Sequence, residues 1–361
     1  MRKKRITFLL PGGSKIPVGG YKIVYEYANR LINDNYEVNI IYPATLLWKE
    51  QNICQKLKGI GKYIYFKTNK NRYLPYNWFP LNKKIKIFLT PSLEEKYIPE
   101  TEYIIATARE TAEYLGRYKR EYTKKIYLIQ HYELWGCTEE RLLKTWKLPL
   151  EKIVIAKWLK EIAKKIAEKS TLIYNGLDFN IFYIQKDIEY RDTKSLILLY
   201  HESEWKGFKY GLEAIKLLKK LYPELKVISF GAYKNPKNIP EWIEYYYSPK
   251  QDKLRELYNE ASIFLGTSLG EGWGLTVSEA MQCGCAVVCT NVEGYNEMAF
   301  DEETALLCKS KNSKDMAEKI KKLIEDNNLR INIAKNGNKF IQKFTWEEAY
   351  SKFKNFIEKG E

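Results

Sequence analysis

Glu271-Gly272-Trp273-Gly274-Leu275-Thr276-Val277-Ser278-Glu279, followed by Ala280-Met281, is the stretch whose reading decides the fold. An apolar run, Ala261 to Leu265, precedes it and reads as a buried strand. Gly270, Gly272 and Gly274 let the backbone bend and come close to a ligand. From Leu275 the chain reads as helix, so the free N–H groups of Leu275 and Thr276 point out of a first turn that attracts phosphate. Glu271 lies in the turn ahead of those amides. Glu279 lies one helical turn inside, where a carboxylate reaches hydroxyls beside the phosphates.

Two glutamates eight positions apart around such a turn closely resemble the E-x7-E motif of the retaining, nucleotide-sugar-dependent glycosyltransferases known as the glycosyl transferases group 1 family. The resemblance implies an α/β chain of the GT-B fold: two Rossmann-like, doubly wound parallel-sheet domains facing across a cleft. Donor would sit on the second and acceptor on the first.

The bulk of the chain agrees with two domains, because 361 residues exceed the usual size of one core. A hydrophobic content of 45% against 29% charged residues describes a globular protein and excludes a disordered one. No apolar run is long enough to span a bilayer. After the basic start Met1 to Arg5, the run Ile6 to Leu10 is too short for a signal peptide and stops at Pro11-Gly12-Gly13. It reads as a first strand, and a cytoplasmic location is expected, with peripheral attachment to the inner face of the membrane. The six cysteines form no C-x-x-C pair, and only His131 and His201 accompany them, which argues for reduced core thiols rather than a metal site.

The net charge of +15 is unevenly placed. Residues 1–180 carry 33 Lys and Arg against 18 Asp and Glu, whereas residues 181–361 carry 27 of each. An excess confined to one half points to an anionic partner of that half. Lys157 to Lys169 reads as an amphipathic helix with Trp158, Leu159, Ile162 and Ile166 on one face and lysines on the other, as in surface-binding helices.

Along the first half, strand and helix alternate, which implies a parallel sheet. Residues 6–10 lead through a glycine loop into a helix from Tyr21 to Asn33, and Tyr36 to Tyr42 reads as the next strand. Residues 44–100 parse poorly, with strand-like pieces at Tyr63–Lys67 and Ile85–Leu89. A strand at 103–106 leads to a helix from Thr107 to Tyr118, with Arg109 at the strand end, where α/β sheets bind ligands. Arg109 reads equally as a surface arginine. The strand from Lys125 to Ile129 ends in Gln130-His131-Tyr132-Glu133. The resemblance places Gly19-Gly20 against donor sugar and phosphates and His131 against the sugar. Arg109 and Glu133 are acceptor-side candidates. The first domain is expected over residues 1–182, with a polar linker at 183–194.

The second half repeats the plan. The loop His201-Glu202-Ser203-Glu204-Trp205-Lys206-Gly207 follows the strand Ser195 to Tyr200. The family carries an Arg and a Lys in this loop, both on the donor diphosphate. Lys206 matches the Lys. The Arg position holds His201, which donates a hydrogen bond without a permanent charge. By the same resemblance Gly231, Tyr247, Gly272, Gly274, Leu275, Thr276 and Glu279 bind donor, Tyr247 by stacking on the base. Glu271, His131 and Lys206 serve catalysis. The second domain is expected over 183–344, and a last helix over 345–361, capped by Thr345 with Glu348, packs back on the first.

The expected activity is metal-independent transfer of a hexosyl unit, with retention, to a glycan or lipid-linked glycan in polysaccharide synthesis. Retention here differs from glycosidase chemistry, which needs two carboxylates flanking the bond. No D-x-D occurs in the chain, so no metal and no further cofactor are expected. The expected partners are the nucleotide sugar, the acceptor and an anionic membrane surface, but not nucleic acid. A sugar-nucleotide epimerase of the same fold is the nearest alternative. A basic nucleic-acid-binding protein leaves the glycine loops and paired glutamates unexplained.

Overall fold

Every strand pairing among the described residues is parallel, and this follows from how apolar the strands are. Strands covered by helices on both faces read as continuous apolar runs rather than alternating ones. The structure is a computed structural model, and it describes residues 3–46, 53–70 and 73–359. Met1 and Arg2 of the basic start and the last two positions of the final helix lie outside the described residues.

Two compact units emerge. The first comprises residues 1–174 and 350–361, the second 175–349. The first runs β1 (Arg5–Leu9), α1 (Gly19–Asn33), β2 (Glu37–Pro43), α2 (Ile53–Thr68), β3 (Lys86–Thr90), β4 (Tyr103–Ala106), α3 (Arg109–Leu115), β5 (Lys124–Ile129), α4 (Glu139–Trp146), β6 (Glu151–Val154), α5 (Lys157–Lys165) and β7 (Thr171–Leu172). Its seven strands lie in the order β3-β2-β1-β4-β5-β6-β7.

The second unit runs β8 (Ser195–Leu199), α6 (Phe208–Leu221), β9 (Lys226–Gly231), β10 (Ile243–Tyr247), α7 (Gln251–Glu260), β11 (Ile263–Gly266), α8 (Leu275–Gln282), β12 (Ala286–Thr290), β13 (Leu306–Cys308), α9 (Ser313–Glu325) and α10 (Asn327–Ile341). Its strand order is β10-β9-β8-β11-β12-β13. Both sheets therefore share one Rossmann-like winding, outward in one direction and then outward in the other. The second core joins Leu196, Leu198, Ile263, Leu265 and Val288 to Leu212 and Ile215 of α6 and to Met316 and Ile320 of α9. Cys283, Cys285, Cys289 and Cys308 are free thiols within this unit, all buried.

Five expectations need correction. Tyr63–Lys67 is the end of α2 and not a strand, because Phe66 turns inward onto the buried Tyr73, ring centroids 6.1 Å apart, at helical spacing from the buried Gly59. The helix after β4 stops at Leu115, with Gly116 at its end, and α5 stops at Lys165, where Ala167 takes a left-handed φ of 59°. Residues 183–194 are not a linker. Ile188 belongs to the second core, and the buried Arg191 guanidinium donates to the carbonyls of Tyr258, Ala261 and Cys283. The chain enters the second unit already at Asn175, where the Leu177 N–H donates to the Phe344 carbonyl at 2.8 Å.

The last helix, α11 (Trp346–Lys359), starts as its sequence indicates: Thr345 Oγ1 accepts from the Glu348 N–H at 3.2 Å. Its residues from Tyr350 onward belong to the first unit, where Phe353 stacks on Tyr27 at 4.2 Å and Lys354 pairs with Asp34 at 2.7 Å. Among the described residues, no helix is long and apolar enough to cross a membrane.

Candidate nucleotide-sugar site

In an open parallel sheet, ligands bind beyond the carboxyl ends of the strands where the winding reverses. In the second unit that point lies between the neighbours β8 and β11. The loop after β8 carries His201 to Gly207, and the loop after β11 carries Thr267 to Gly274. The two loops are tied together. Thr267 Oγ1 donates to the Lys206 carbonyl at 2.7 Å, and the Leu269 N–H donates to the Trp205 carbonyl at 2.7 Å. Gly207 makes this approach possible: its φ is +65°, and a Cβ there would lie 2.0 Å from the Thr267 carbonyl oxygen. Gly207→Ala is therefore expected to destabilise the second unit by roughly 1–3 kcal/mol. Thermal unfolding would show this as a lowered midpoint, and an unchanged midpoint would contradict the packing.

The result is a charged centre. Lys206 Nζ pairs with Glu271 Oε1, which also accepts from Ser268 Oγ at 2.7 Å. The same ammonium sits 4.1 Å from the Trp205 ring centroid, a cation–π contact. Both side chains are mostly buried, 17% and 12% exposed, so their charges act in a medium less screening than water. Behind them the Tyr295 phenol is pushed well above its ordinary value, first by burial and then by Glu271.

Beyond Glu271 the chain enters α8 through Gly274, whose φ is +102° and whose missing Cβ would lie 2.6 Å from the Tyr295 ring. Gly272 is buried just before it, Leu275 and Thr276 form the half-buried first turn, and no side chain caps that turn. Its amides are therefore the free donors that an anion attracts. Trp273 fixes the turn from inside, donating its Nε1–H to Ser278 Oγ at 3.0 Å. One turn into α8, Glu279 is 8% exposed and accepts from the Tyr258 hydroxyl at 3.4 Å.

His201 is half-buried on the same loop as Lys206. Its Nδ1 accepts from the Ser203 N–H at 3.0 Å, which leaves Nε2 to carry the proton of the neutral ring. Burial first, and then Lys206, hold its pKa below the usual histidine value, against smaller opposing effects of Glu271 and Glu202. The neutral ring is thus favoured in the free protein more than in an ordinary histidine. A diphosphate binds the charged ring better, so affinity is expected to rise as pH falls, with part of that rise lost in His201→Gln. A pH dependence unchanged in His201→Gln would contradict this.

Gly231 and Tyr247 are register partners at the ends of β9 and β10. A Cβ on Gly231 would lie 2.6 Å from the Tyr200 carbonyl oxygen, while Tyr247 is 52% exposed, open to a planar ring.

The first-unit candidates gather at the corresponding reversal, between β1 and β4. Thr107 Oγ1 bridges the two strands there by donating to the Leu9 carbonyl at 2.8 Å. Gly19 and Gly20 open α1, and a Cβ on Gly20 would meet the Gln130 side chain at 3.3 Å. The tightest glycine of this loop is Gly13 instead, where a Cβ would lie 2.3 Å from Tyr73 Cβ. Arg109 is not a surface arginine. It is 3% exposed, pairs with Glu110, and donates to the carbonyls of Glu133 and Trp135 at 3.0 and 3.2 Å. Glu133 accepts from the Arg109 N–H at 2.6 Å and is buried, which pushes its carboxyl up to about 7 against the lowering effect of that bond. The pair shapes the 130–135 loop, on which the half-buried His131 ring packs edge-on against Trp135 at 4.9 Å and Trp158 at 6.3 Å.

Sequence reasoning missed Ser268, Trp205, Tyr258 and Tyr295. Trp205 had a local signal, its adjacency to Lys206. The other three owe their places to sheet order and helix register. Among the described residues no group of three or more His, Cys, Asp or Glu lies together as a metal site.

The comparisons converge on this unit. The family described as "Glycosyl transferases group 1" matches residues 182–340. The second unit is a group 1 glycosyltransferase domain. An uncharacterized glycosyltransferase of Methanocaldococcus jannaschii is 28% identical over 204 residues, 55% of this chain and 56% of that protein. The N,N'-diacetylbacillosaminyl-diphospho-undecaprenol alpha-1,3-N-acetylgalactosaminyltransferase of Campylobacter jejuni is 34% identical over 151 residues, 40% of this chain and 39% of that protein. The chain thus spans about half the length, or less, of these curated relatives. Over nearly the whole chain the fold is that of Anabaena HepE, solved in complex with UDP-glucose: the TM-score is 0.73 at 15% identity, covering 98% of this chain and 99% of that one. A group 1 domain joined to a second Rossmann-like unit is the GT-B architecture.

Proposed function

We propose that the chain is a retaining glycosyltransferase that moves a hexosyl unit from a nucleoside-diphosphate sugar, held by the second unit, to a glycan or lipid-linked glycan taken by the first. One observation carries the reading: Lys206 pairs with Glu271, four residues ahead of the uncapped start of α8. As the glycosidic bond breaks, negative charge grows on the diphosphate oxygens. Lys206 and the amides of Gly274, Leu275 and Thr276 stabilise that charge in a partly desolvated pocket. Glu271 exchanges its bond to Lys206 for the sugar hydroxyls, and Glu279 accepts from the ribose hydroxyls. His201 donates Nε2–H to the diphosphate, and Tyr247 stacks on the base. In the first unit, His131 is the candidate for contact with the transferred sugar. Retention fits acceptor attack on the leaving-group face, with the diphosphate oxygen taking the acceptor proton.

The relatives support a place in surface-glycan synthesis: one is named for transfer onto a diphospho-undecaprenol acceptor and another for capsular polysaccharide biosynthesis in Staphylococcus aureus. A cytoplasmic enzyme peripheral on the inner face of the membrane suits such acceptors. The test is release of nucleoside diphosphate from a panel of nucleotide sugars, with and without lipid-linked acceptors, in excess EDTA. Acceptor-stimulated release that persists in EDTA is expected. Release restored only by manganese or magnesium would contradict charge neutralisation by Lys206 and the helix start. Formation of an epimerised free sugar nucleotide without transfer would favour the epimerase.

A further inference from the structure

α2 carries a face that the first unit does not cover. Leu57, Ile60 and Ile64 follow the helical spacing of one stripe and are 61%, 54% and 57% exposed. The opposite side faces inward through the buried Gly59 and through Phe66 on Tyr73. Lysines border the exposed side: Lys67 lies beside the stripe, Lys58 on its other side, Lys62 nearer the inward side with its ammonium 5.5 Å from the Phe66 ring centroid, and Lys70 just past the helix end, all exposed. The chain through α2 and on to β3 carries one sign of charge: residues 51–93 contain nine Lys and Arg and no Asp or Glu. α5, the helix whose sequence looked surface-binding, differs. Leu159 and Ala163 on its apolar side are fully buried, so much of that side belongs to the core.

We propose that the outer face of α2 docks on an anionic lipid bilayer. An apolar stripe inserts among acyl chains while flanking lysines meet lipid phosphates and carboxylates. Long lysine stems reach outward from the edges of such a stripe without burying the ammonium groups. A protein partner would have to offer both an apolar groove and a uniformly acidic rim, whereas an anionic bilayer supplies both everywhere along its surface. The surface gives the acceptor of the proposed transferase a location, and it rests on that reading for this meaning alone.

The test is sedimentation of the full chain with vesicles of phosphatidylcholine alone or mixed with phosphatidylglycerol, at low and high salt. Binding to the mixed vesicles only, weakened by salt, is expected. Ile60→Glu with Ile64→Glu should lower partitioning by about tenfold or more. Lys58→Gln, Lys62→Gln and Lys67→Gln together should remove the preference for anionic vesicles. Thermal shift by UDP, GDP and ADP, run on each variant, reports the fold and nucleotide binding independently, so loss of nucleotide binding in the wild type would count against the transferase reading alone. Absence of vesicle binding, equal binding by the variants, or a wild-type dimer that the Ile60/Ile64 variant dissociates would overturn the assignment, the last in favour of a second copy of the chain.

Discussion

Lys206→Ala is expected to lower turnover roughly 10²–10³-fold, the usual loss when a group that stabilises developing charge is removed from a partly desolvated site. The ammonium is held between Glu271 and the Trp205 ring before any substrate arrives, and donor binding exchanges only its bond to Glu271. Removing it also leaves the carboxylate of Glu271 mostly buried without its counter-charge, which repels a diphosphate. The variant to pair with it is therefore Lys206→Met with Glu271→Gln, which removes both charges. If turnover in that double variant falls well below that of Glu271→Gln alone while the thermal midpoint recovers, the ammonium acts on the leaving group. Wild-type turnover in either variant would remove Lys206 from the mechanism.

The two glutamates of the turn should separate by phenotype. Glu279 sits one turn inside α8 beside the buried Tyr258. Glu279→Gln should weaken nucleoside diphosphate and donor alike, because ribose is common to both. Glu271→Gln should mainly lower turnover while nucleotide binding survives. A hydrogen bond to a charged group contributes about 1.5–3 kcal/mol, so an effect of roughly tenfold or more is expected in each case. Kinetics with both nucleoside diphosphate and nucleotide sugar as titrants distinguish the two. Identical effects of the two substitutions on both titrants would contradict the separate roles.

The β11–α8 turn was legible because everything that makes it is local. An apolar strand, a glycine with positive φ and a helix start follow one another within fifteen residues, Leu265 to Glu279. The encounter of Lys206 with Glu271 is not local. It requires β8 and β11 to be neighbours, which the alternation of strand and helix permits but does not state, and the family resemblance supplied the roles. Ser268, Tyr258 and Tyr295 carry no sequence mark, since their partners are set by which side of a sheet or helix each faces. Arg109 stands at a strand end, where ligand-binding and surface arginines look alike; only the carbonyls of Glu133 and Trp135 show that it is an internal brace. α2 was misread for a physical reason. Tyr63, Tyr65 and Lys67 alternate like a strand, and its outward stripe of Leu57, Ile60 and Ile64 is apolar where a solvated helix would be polar. Residues 183–194 look like a linker by composition, yet Ile188 and Arg191 tie them into the second core.

The central claim is that the reversal between β8 and β11 binds a nucleoside diphosphate through Lys206, the start of α8 and Glu279. Titration calorimetry of the full chain with UDP, GDP and ADP, repeated on Lys206→Ala and Glu279→Gln, tests it most directly. The account predicts saturable one-to-one binding of at least one nucleotide in excess EDTA, weakened roughly tenfold or more by each substitution. Absence of binding for all three nucleotides, or binding that neither substitution weakens, would contradict it.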